Sequence, residues 1–265
     1  MITFIVPVKS KKVSSDWPRF CKLFQRTVKS ICGQTDKNFR LVAVCHEVPE
    51  IDFNHKNLVF LEVEFNPPIP KAFESEETFN KRREVDKGEK IMAGVAYAKK
   101  NFDTDYVMMV DSDDCISNRI ASFVNGNDQD SPGWYLKFGY IHLDGKKFLA
   151  STSKFSYLCG SSIIVKPDLI HYFFGTNPDL YFDHQLKTLD KGTNLSELPF
   201  FGGIYSMANG DNHYMSLQKA KNLNNPFGRL SRSELKRMYR KLRAYRFHFI
   251  TRRIRDEFNF YQVTQ

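Results

Sequence analysis

The chain has 265 residues, 42% of them hydrophobic, and 39 Lys and Arg against 30 Asp and Glu give it a formal net charge of +9. That is enough apolar chain for one large α/β domain with an appendage, and no stretch approaches the ~20 apolar residues of a membrane-spanning helix. The cysteines Cys21, Cys32, Cys45, Cys115 and Cys159 are odd in number and lack Cys-x-x-Cys spacing, which argues for reduced cytoplasmic thiols rather than a disulfide framework or a zinc site.

Ile2 to Val8 is an apolar, strand-like run that leaves no room for a basic-then-apolar leader. Trp17 to Ile31 follows with Phe20, Leu23, Phe24, Val28 and Ile31 at helical spacing, and Gly33 supplies a C-terminal stop. Phe39 to Cys45 and Leu58 to Val63 are two further strand-like runs. Residues 66–86, with Pro67, Pro68, Pro70 and a set of glutamates, read as a long charged connection. Lys87 to Lys100 reads as a helix with Ile91, Val95 and Ala98 on one face, leading into the strand Tyr106 to Val110. This order predicts a mostly parallel sheet with helices packed on it.

The last of these strands ends in Asp111-Ser112-Asp113-Asp114. Open α/β sheets bind ligands at the carboxyl ends of their strands. Mg²⁺ takes oxygen ligands, commonly one or two carboxylates plus substrate phosphates. A strand followed by Asp-x-Asp therefore suits a metal-bound diphosphate. The simpler alternative is an acidic turn, since Asp and Ser are favoured in turns for their own hydrogen bonds.

Phe4-Ile-Val-Pro-Val, the helix end Thr27-Val-Lys-Ser-Ile31 with Gln34-Thr35, the strand Leu41-Val-Ala-Val and the segment Asp105 to Asp114 together resemble the family 2-like glycosyltransferases of the GT-A fold. The resemblance covers residues 1–120 and fades afterwards. The chain departs from it after the second strand, where His46-Glu47-Val48-Pro49 stands in place of an acidic-acidic-Gly-Ser turn. It implies a GT-A, Rossmann-like domain over residues 1–225 and a nucleotide-diphosphate sugar as donor. It further implies a Mg²⁺ or Mn²⁺ held through Asp113, with Asp111 facing the ribose or the metal's outer shell and Ser112 beside it. Pro7, Val8 and Glu47 would frame the nucleotide base, and Lys87 or Lys90 would lie near the base or phosphates. An acidic residue opening a later helix serves as base in that family, and Asp183 is the matching position. Asp183 also fits a helix N-terminal carboxylate favoured by the macrodipole. Inverting displacement is the outcome the resemblance implies.

Further along, Trp134 to His142, Asp144-Gly145 and Lys147 to Ala150 read as a hairpin with an Asp-Gly turn. Phe155 to Val165 reads as an extended segment lining an acceptor pocket. Pro167 to Phe174 reads as a short helix with Pro in its first turn. Tyr181 to Gly192 reads as a helix, and Asn194 to Pro199 as a strand. Phe200 to His213 combines glycines with polar groups; the resemblance implies a loop closing over the donor, with His213 a further metal ligand, although a lone histidine is more often an ordinary one.

Between Ser231 and Asp256 ten Lys and Arg face only Glu234 and Asp256, leaving the rest of the chain close to neutral. Leu235, Met238, Leu242, Tyr245 and Phe249 recur through the same stretch, which predicts a basic amphipathic helix within a C-terminal region 226–265. Such a helix either docks on the catalytic domain with a solvated cationic face or attaches to an anionic membrane, on the cytoplasmic side and beside a lipid-linked acceptor. Nucleic acid is a third partner, without any recognisable binding module to support it. The sequence is thus read as a metal-dependent glycosyltransferase acting on a glycan, lipid-linked or other hydroxyl. The alternatives are a sugar-phosphate nucleotidyltransferase, for which a Gly-rich loop after the first strand is missing, and a non-catalytic adaptor working through its basic tail.

Overall fold

The N-terminal apolar runs form strands because both faces of each are covered. In the computed structural model, which describes residues 1–127, 130–174, 181–189, 192–207 and 246–263, β1 (Ile2–Pro7), β2 (Phe39–Cys45), β3 (Leu58–Glu62) and β4 (Tyr106–Met109) pair in parallel in the order β4-β1-β2-β3. One face (Phe4, Val6, Leu41, Ala43, Tyr106, Met108) packs on α1 (Trp17–Cys32) through Phe20, Phe24, Val28 and Ile31. The opposite face (Ile5, Val42, Val44, Val107, Met109) packs on α2 (Glu76–Asn101) through Ile91, Val95 and Ala98. A strand buried on both sides has no polar alternation to show, hence the continuous apolar runs.

Both long helices are capped by their own sequence. Asp16 accepts from the Arg19 amide at 3.0 Å and Ser75 from the Thr78 amide at 3.1 Å, each satisfying an otherwise orphaned donor. Helix α2 begins at Glu76 rather than at Lys87, so the expected connection is half helix. Its first turns carry Glu76, Glu77, Lys81 and Arg82, with no apolar stripe to announce them; the cap and the acidic first turn are what favour them.

Beyond β4 the sheet becomes mixed. Strand β9 (Ile163–Val165) runs antiparallel to β4, β6 (Gly133–Tyr135) antiparallel to β9, and β10 (Ser196–Glu197) parallel to β6, completing seven strands. A second sheet has the order β12 (Arg246–Phe249), β8 (Phe148–Thr152), β7 (Phe138–Leu143), β11 (Phe201–Met207), β5 (Cys115–Ile116). The β7–β8 hairpin is present, with Gly145 at φ +75° in its turn. The run Trp134 to His142, however, divides between the two sheets as β6 and β7. The short helix α3 (Ile120–Gly126) follows β5. Phe155 to Val165 is not extended throughout: α4 (Phe155–Leu158) turns first and seats the Phe155 ring against Gly139 and Gly203, where no side chain intervenes. Pro167–Phe174 is a short 3₁₀ helix.

Two expected elements are absent among the described residues. Tyr181 to Leu189 is turn and extended chain, not helix. The part of the Phe200 to His213 segment that is described is strand β11, with Gly202 and Gly203 buried inside it, and its remainder lies outside the described residues. The predicted basic helix also needs correction where it is described. Residues 246–249 form β12, antiparallel to β8, and only Arg252–Phe258 is helical (α5). Phe247 and Phe249 share one strand face, a period of two that overrides the helical spacing. Ile254, Phe258 and Phe260 are buried against Cys115, Leu149 and Ile204, which ties this segment to the second sheet. Residues 231–245 lie outside the described residues. All five cysteines are free and buried, and no helix among the described residues is long and apolar enough to cross a membrane.

A Cβ on Gly94 would lie 2.6 Å from the Ile5 Cγ2 and 2.9 Å from the Val44 Cγ2. Gly94→Ala should therefore force α2 off the sheet, and overpacking of this kind costs about 1–3 kcal/mol. Urea unfolding of the two proteins measures it; equal midpoints would show that α2 rides less closely on β1 and β2.

Candidate active site

The chain leaves β1 toward β2 on one side, and α2 carries it back to β4 on the other. The carboxyl ends of β1 and β4 therefore flank the point where the strand order reverses, where open α/β sheets take their ligands. A polar cleft lies there. Pro7, Val8 and Lys9 line it from the end of β1, Asp86, Lys87 and Lys90 from α2, Asp111, Ser112 and Asp113 from the end of β4, and Gly160, His184 and Tyr205 from the facing wall. Seven of the residues singled out in the sequence are thus brought together: Pro7, Val8, Lys87, Lys90, Asp111, Ser112 and Asp113.

The three carboxylates after β4 separate into two kinds. Asp114 turns inward and is fully buried. Its Oδ1 accepts from the Ser206 amide at 2.9 Å, and its Oδ2 accepts from the Ser161 hydroxyl at 2.7 Å and the Cys159 thiol at 3.1 Å. Burial, reinforced by the negative charges of Asp113 and Asp111, raises its pKa well above the ordinary carboxylate range. Asp111 and Asp113 instead face the cleft. The Asp111 amide donates to the Ser161 Oγ at 2.8 Å, and the Asp113 carbonyl accepts from Arg26 at 2.9 Å. Arg26 comes from α1, is almost wholly buried, and also donates to the Ser206 Oγ at 2.8 Å.

The Lys87 ammonium lies 2.5 Å from Asp111. Burial works against its charge, but Asp111, with Glu84 behind it, outweighs burial and raises its pKa. A Cβ on Gly160 would stand 2.9 Å from the Asp111 Oδ2 and 3.2 Å from the Lys87 Nζ, so only glycine leaves this pair its place. Lys90 donates to the Asp86 Oδ2 at 2.7 Å, and the His46 Nε2, on a residue that does not line the cleft, sits 3.6 Å from the Asp86 Oδ1. That Oδ1 and both His46 ring nitrogens have no hydrogen-bond partner. Burial, with the nearby Lys90 charge, lowers the His46 pKa; burial likewise lowers that of Lys90 against the pull of Asp86. Asp86 escaped sequence reasoning because its segment read as loop, although its i,i+4 spacing to Lys90 was visible.

Two expected residues are placed otherwise, and a third is not described. Glu47 does not line the cleft; its carboxylate accepts from the Ser10 hydroxyl and the Lys11 amide, both at 3.0 Å, and so fixes the chain after β1. Asp183 opens no helix. Its Oδ1 accepts from the Gln185 amide at 2.9 Å, and it lines neither the cleft nor the neighbouring chamber. His213 lies outside the described residues. The adjoining residue His184 does line the cleft, a position no sequence signal marked.

No group of three or more His, Cys, Asp or Glu suited to a metal ion occurs among the described residues. The donor set is nevertheless of the right chemistry for Mg²⁺ or Mn²⁺ brought with a diphosphate, since Asp111 and Asp113 offer two carboxylates and such ions often take no more from the protein.

The fold and cleft define an α/β protein with a cleft at a topological switch point. No family model and no curated protein sequence matches the chain. Among solved structures it is similar to S. aureus TarS 1-349 in complex with UDP-GlcNAc, at 16% identity and a TM-score of 0.45 over 81% of this chain and 61% of that one. TarS 1-349 alone gives 17% and 0.44, over 77% and 60%. The bifunctional IspDF from Campylobacter jejuni gives 13% and 0.35, over 84% and 53%. The chain thus spans about three fifths of the TarS structures.

Replacing Asp114 by Ala leaves the buried Ser206 amide without its acceptor, an omission that alone costs about 1–3 kcal/mol. Asp114→Asn keeps an oxygen for that amide. The Ala variant should therefore lose substantially more stability in urea than the Asn variant, and equal losses would remove the amide bond from the account.

Proposed function

We propose that this chain is a glycosyltransferase that moves a sugar from a nucleotide-diphosphate donor to a hydroxyl acceptor with inversion. The observation that carries the reading is the placement of Asp111 and Asp113 at the switch-point cleft, across from Pro7 and Val8 and beside Lys87 and Lys90. A diphosphate leaving group develops negative charge as the sugar departs, and the cleft supplies cationic groups where that charge would fall. Pro7 and Val8 give an apolar wall for a flat base. The Asp86 Oδ1, on a residue that lines the cleft, lacks a hydrogen-bond partner and gives a polar atom that a base edge can satisfy. Asp113, together with Asp111, would hold a Mg²⁺ or Mn²⁺ carried by the diphosphate. When bound, that ion supplies further positive charge to the leaving oxygen.

The acceptor is proposed to be glycan or lipid-linked, presented at an anionic membrane. Phe247 and Phe249 are 55% and 81% exposed, and Arg246, Arg252 and Arg253 beside them are exposed as well. Apolar groups to insert and cations to attract are the two requirements of interfacial binding. The chain would then work on the cytoplasmic side, at the surface of the bilayer.

Thermal melting with Mn²⁺ plus UDP, GDP or CDP tests the donor site: a rise requiring both metal and one nucleotide is expected. Asp113→Asn should keep the fold, lose that rise, and reduce turnover of the matching nucleotide sugar at least 100-fold. Near wild-type turnover would sink the metal assignment. Release of pyrophosphate from a nucleoside triphosphate and a sugar phosphate would instead mark a nucleotidyltransferase.

Binding to anionic vesicles should weaken steeply with salt, because exposed charges are screened within ~8 Å at physiological ionic strength. Phe249→Ser should weaken it further while sparing donor turnover. Indifference to vesicles at low salt would point to a soluble acceptor.

A further inference from the structure

His184 stands where the polar cleft meets a second cavity. That chamber, about 550 Å³ in volume, is walled chiefly by Ile141, Leu143, Phe148 and Met207, and His184 lines both spaces. The ring's Nδ1 is 2.8 Å from the Ser156 carbonyl oxygen. A carbonyl only accepts, so Nδ1 carries the proton and the neutral ring presents its lone pair at Nε2. No hydrogen bond to Nε2 is made among the described residues.

The imidazole is therefore oriented by the backbone of a buried serine, in one tautomer, with its basic nitrogen free beside the cleft that holds Asp111 and Asp113. This is the arrangement a general base needs: a third group fixes the ring, and the acceptor nitrogen is left open. Asp183, one residue earlier, spends its carboxylate on the Gln185 amide and reaches neither space.

We propose that His184 is the catalytic base that takes the proton from the acceptor hydroxyl, an inference that rests on the glycosyl-transfer reading above. The acceptor O–H bond breaks, with its proton passing to Nε2. The oxygen forms a bond to the anomeric carbon while the bond from that carbon to the diphosphate oxygen breaks, and the nucleoside diphosphate departs with the electron pair. The imidazolium then gives its proton to water. The chamber side of His184 lets an acceptor approach Nε2 without displacing the donor.

The ring's charge state agrees. Burial lowers its pKa, and of the charged groups facing it Lys87 and Lys187 lower it while Asp111 raises it. The base form thus prevails at neutral pH, and kcat should fall as pH drops through a value below the ~6.5 of a free imidazole.

The test uses His184→Asn, whose amide N–H can replace the bond to the Ser156 carbonyl while no basic nitrogen remains. With a panel of UDP-, GDP- and CDP-sugars and alkyl glucosides as acceptors, the variant should bind the nucleotide with Mn²⁺ as wild type does. Its kcat should fall 10²–10⁴-fold, the usual range for a lost general base, and the acidic limb of its pH profile should disappear. Asp183→Asn should stay within a few-fold of wild type. If His184→Asn keeps its kcat and its acidic limb while Asp183→Asn loses transfer with donor affinity intact, the base is Asp183 and the proposal fails, although glycosyl transfer stands. If the wild-type protein turns over no nucleotide sugar, both readings fall together. Should His184→Asn unfold, the wild-type profile decides, because the absence of an acidic limb in kcat overturns the assignment by itself.

Discussion

The cleft depends on the hydrogen bonds that hold Asp114 inside the protein. Three carboxylates within four positions repel one another, and a buried one bears the full cost of desolvation unless donors surround it. Here the donors come from far along the chain: Ser161 and Cys159 from the turn before β9, and Ser206 from β11. Ser161 is the hinge of the arrangement, accepting from the Asp111 amide while donating to Asp114. The loop after β4 is thereby fixed to both sheets, and its remaining carboxylates, Asp111 and Asp113, line the cleft. Arg26 adds a second clasp through the Asp113 carbonyl, and its guanidinium rests 4.9 Å from the Phe260 ring. A charge so deeply buried belongs to the machinery that positions the loop.

The N-terminal half was legible in the sequence because its signals are local. A strand covered on both faces needs only a continuous apolar run, as in Phe4 to Val6 or Val42 to Val44. Helix α1 announced itself through Phe20, Phe24, Val28 and Ile31, and through Gly33 at its end. The Asp-x-Asp segment could be placed at a sheet edge on the same grounds. The first turns of α2 were not legible, since capping by Ser75 is a weaker signal than the prolines before it. With them went Asp86, which lies where the helix was not expected.

The remainder of the site was hidden for a different reason. Its determinants join residues 47 and 92 positions apart, as Ser161 and Ser206 are from Asp114, and no local pattern encodes such a pairing. The run Trp134 to His142 looked like one strand, yet its two halves serve separate sheets. The segment after Tyr181 carried a helical pattern, but the chain there is held by contacts to α4: the His184 ring to the Ser156 carbonyl and the Gln185 side chain to the Tyr157 carbonyl at 3.3 Å. Those bonds fasten a turn at His184 and Gln185 in place of a helix, and tertiary contact overrode local preference.

The two sheets divide the cleft between them. Pro7, Val8, Asp111 and Asp113 hang from the parallel strands of the first, and the cations Lys87 and Lys90 stand over them on α2. Tyr205 belongs to β11 of the second sheet, and His184 is suspended from the turn that β7 and β11 clasp through the Phe155 ring. Groups suited to a charged diphosphate thus sit on one support, and groups suited to an uncharged hydroxyl on another. The Asp114 network is the joint between these supports, because it alone among the bonds described here reaches the loop after β4, the turn before β9 and strand β11 together. A displacement of either sheet would be felt first as a change in the distance between Asp111 and His184, which line the same cleft from different supports.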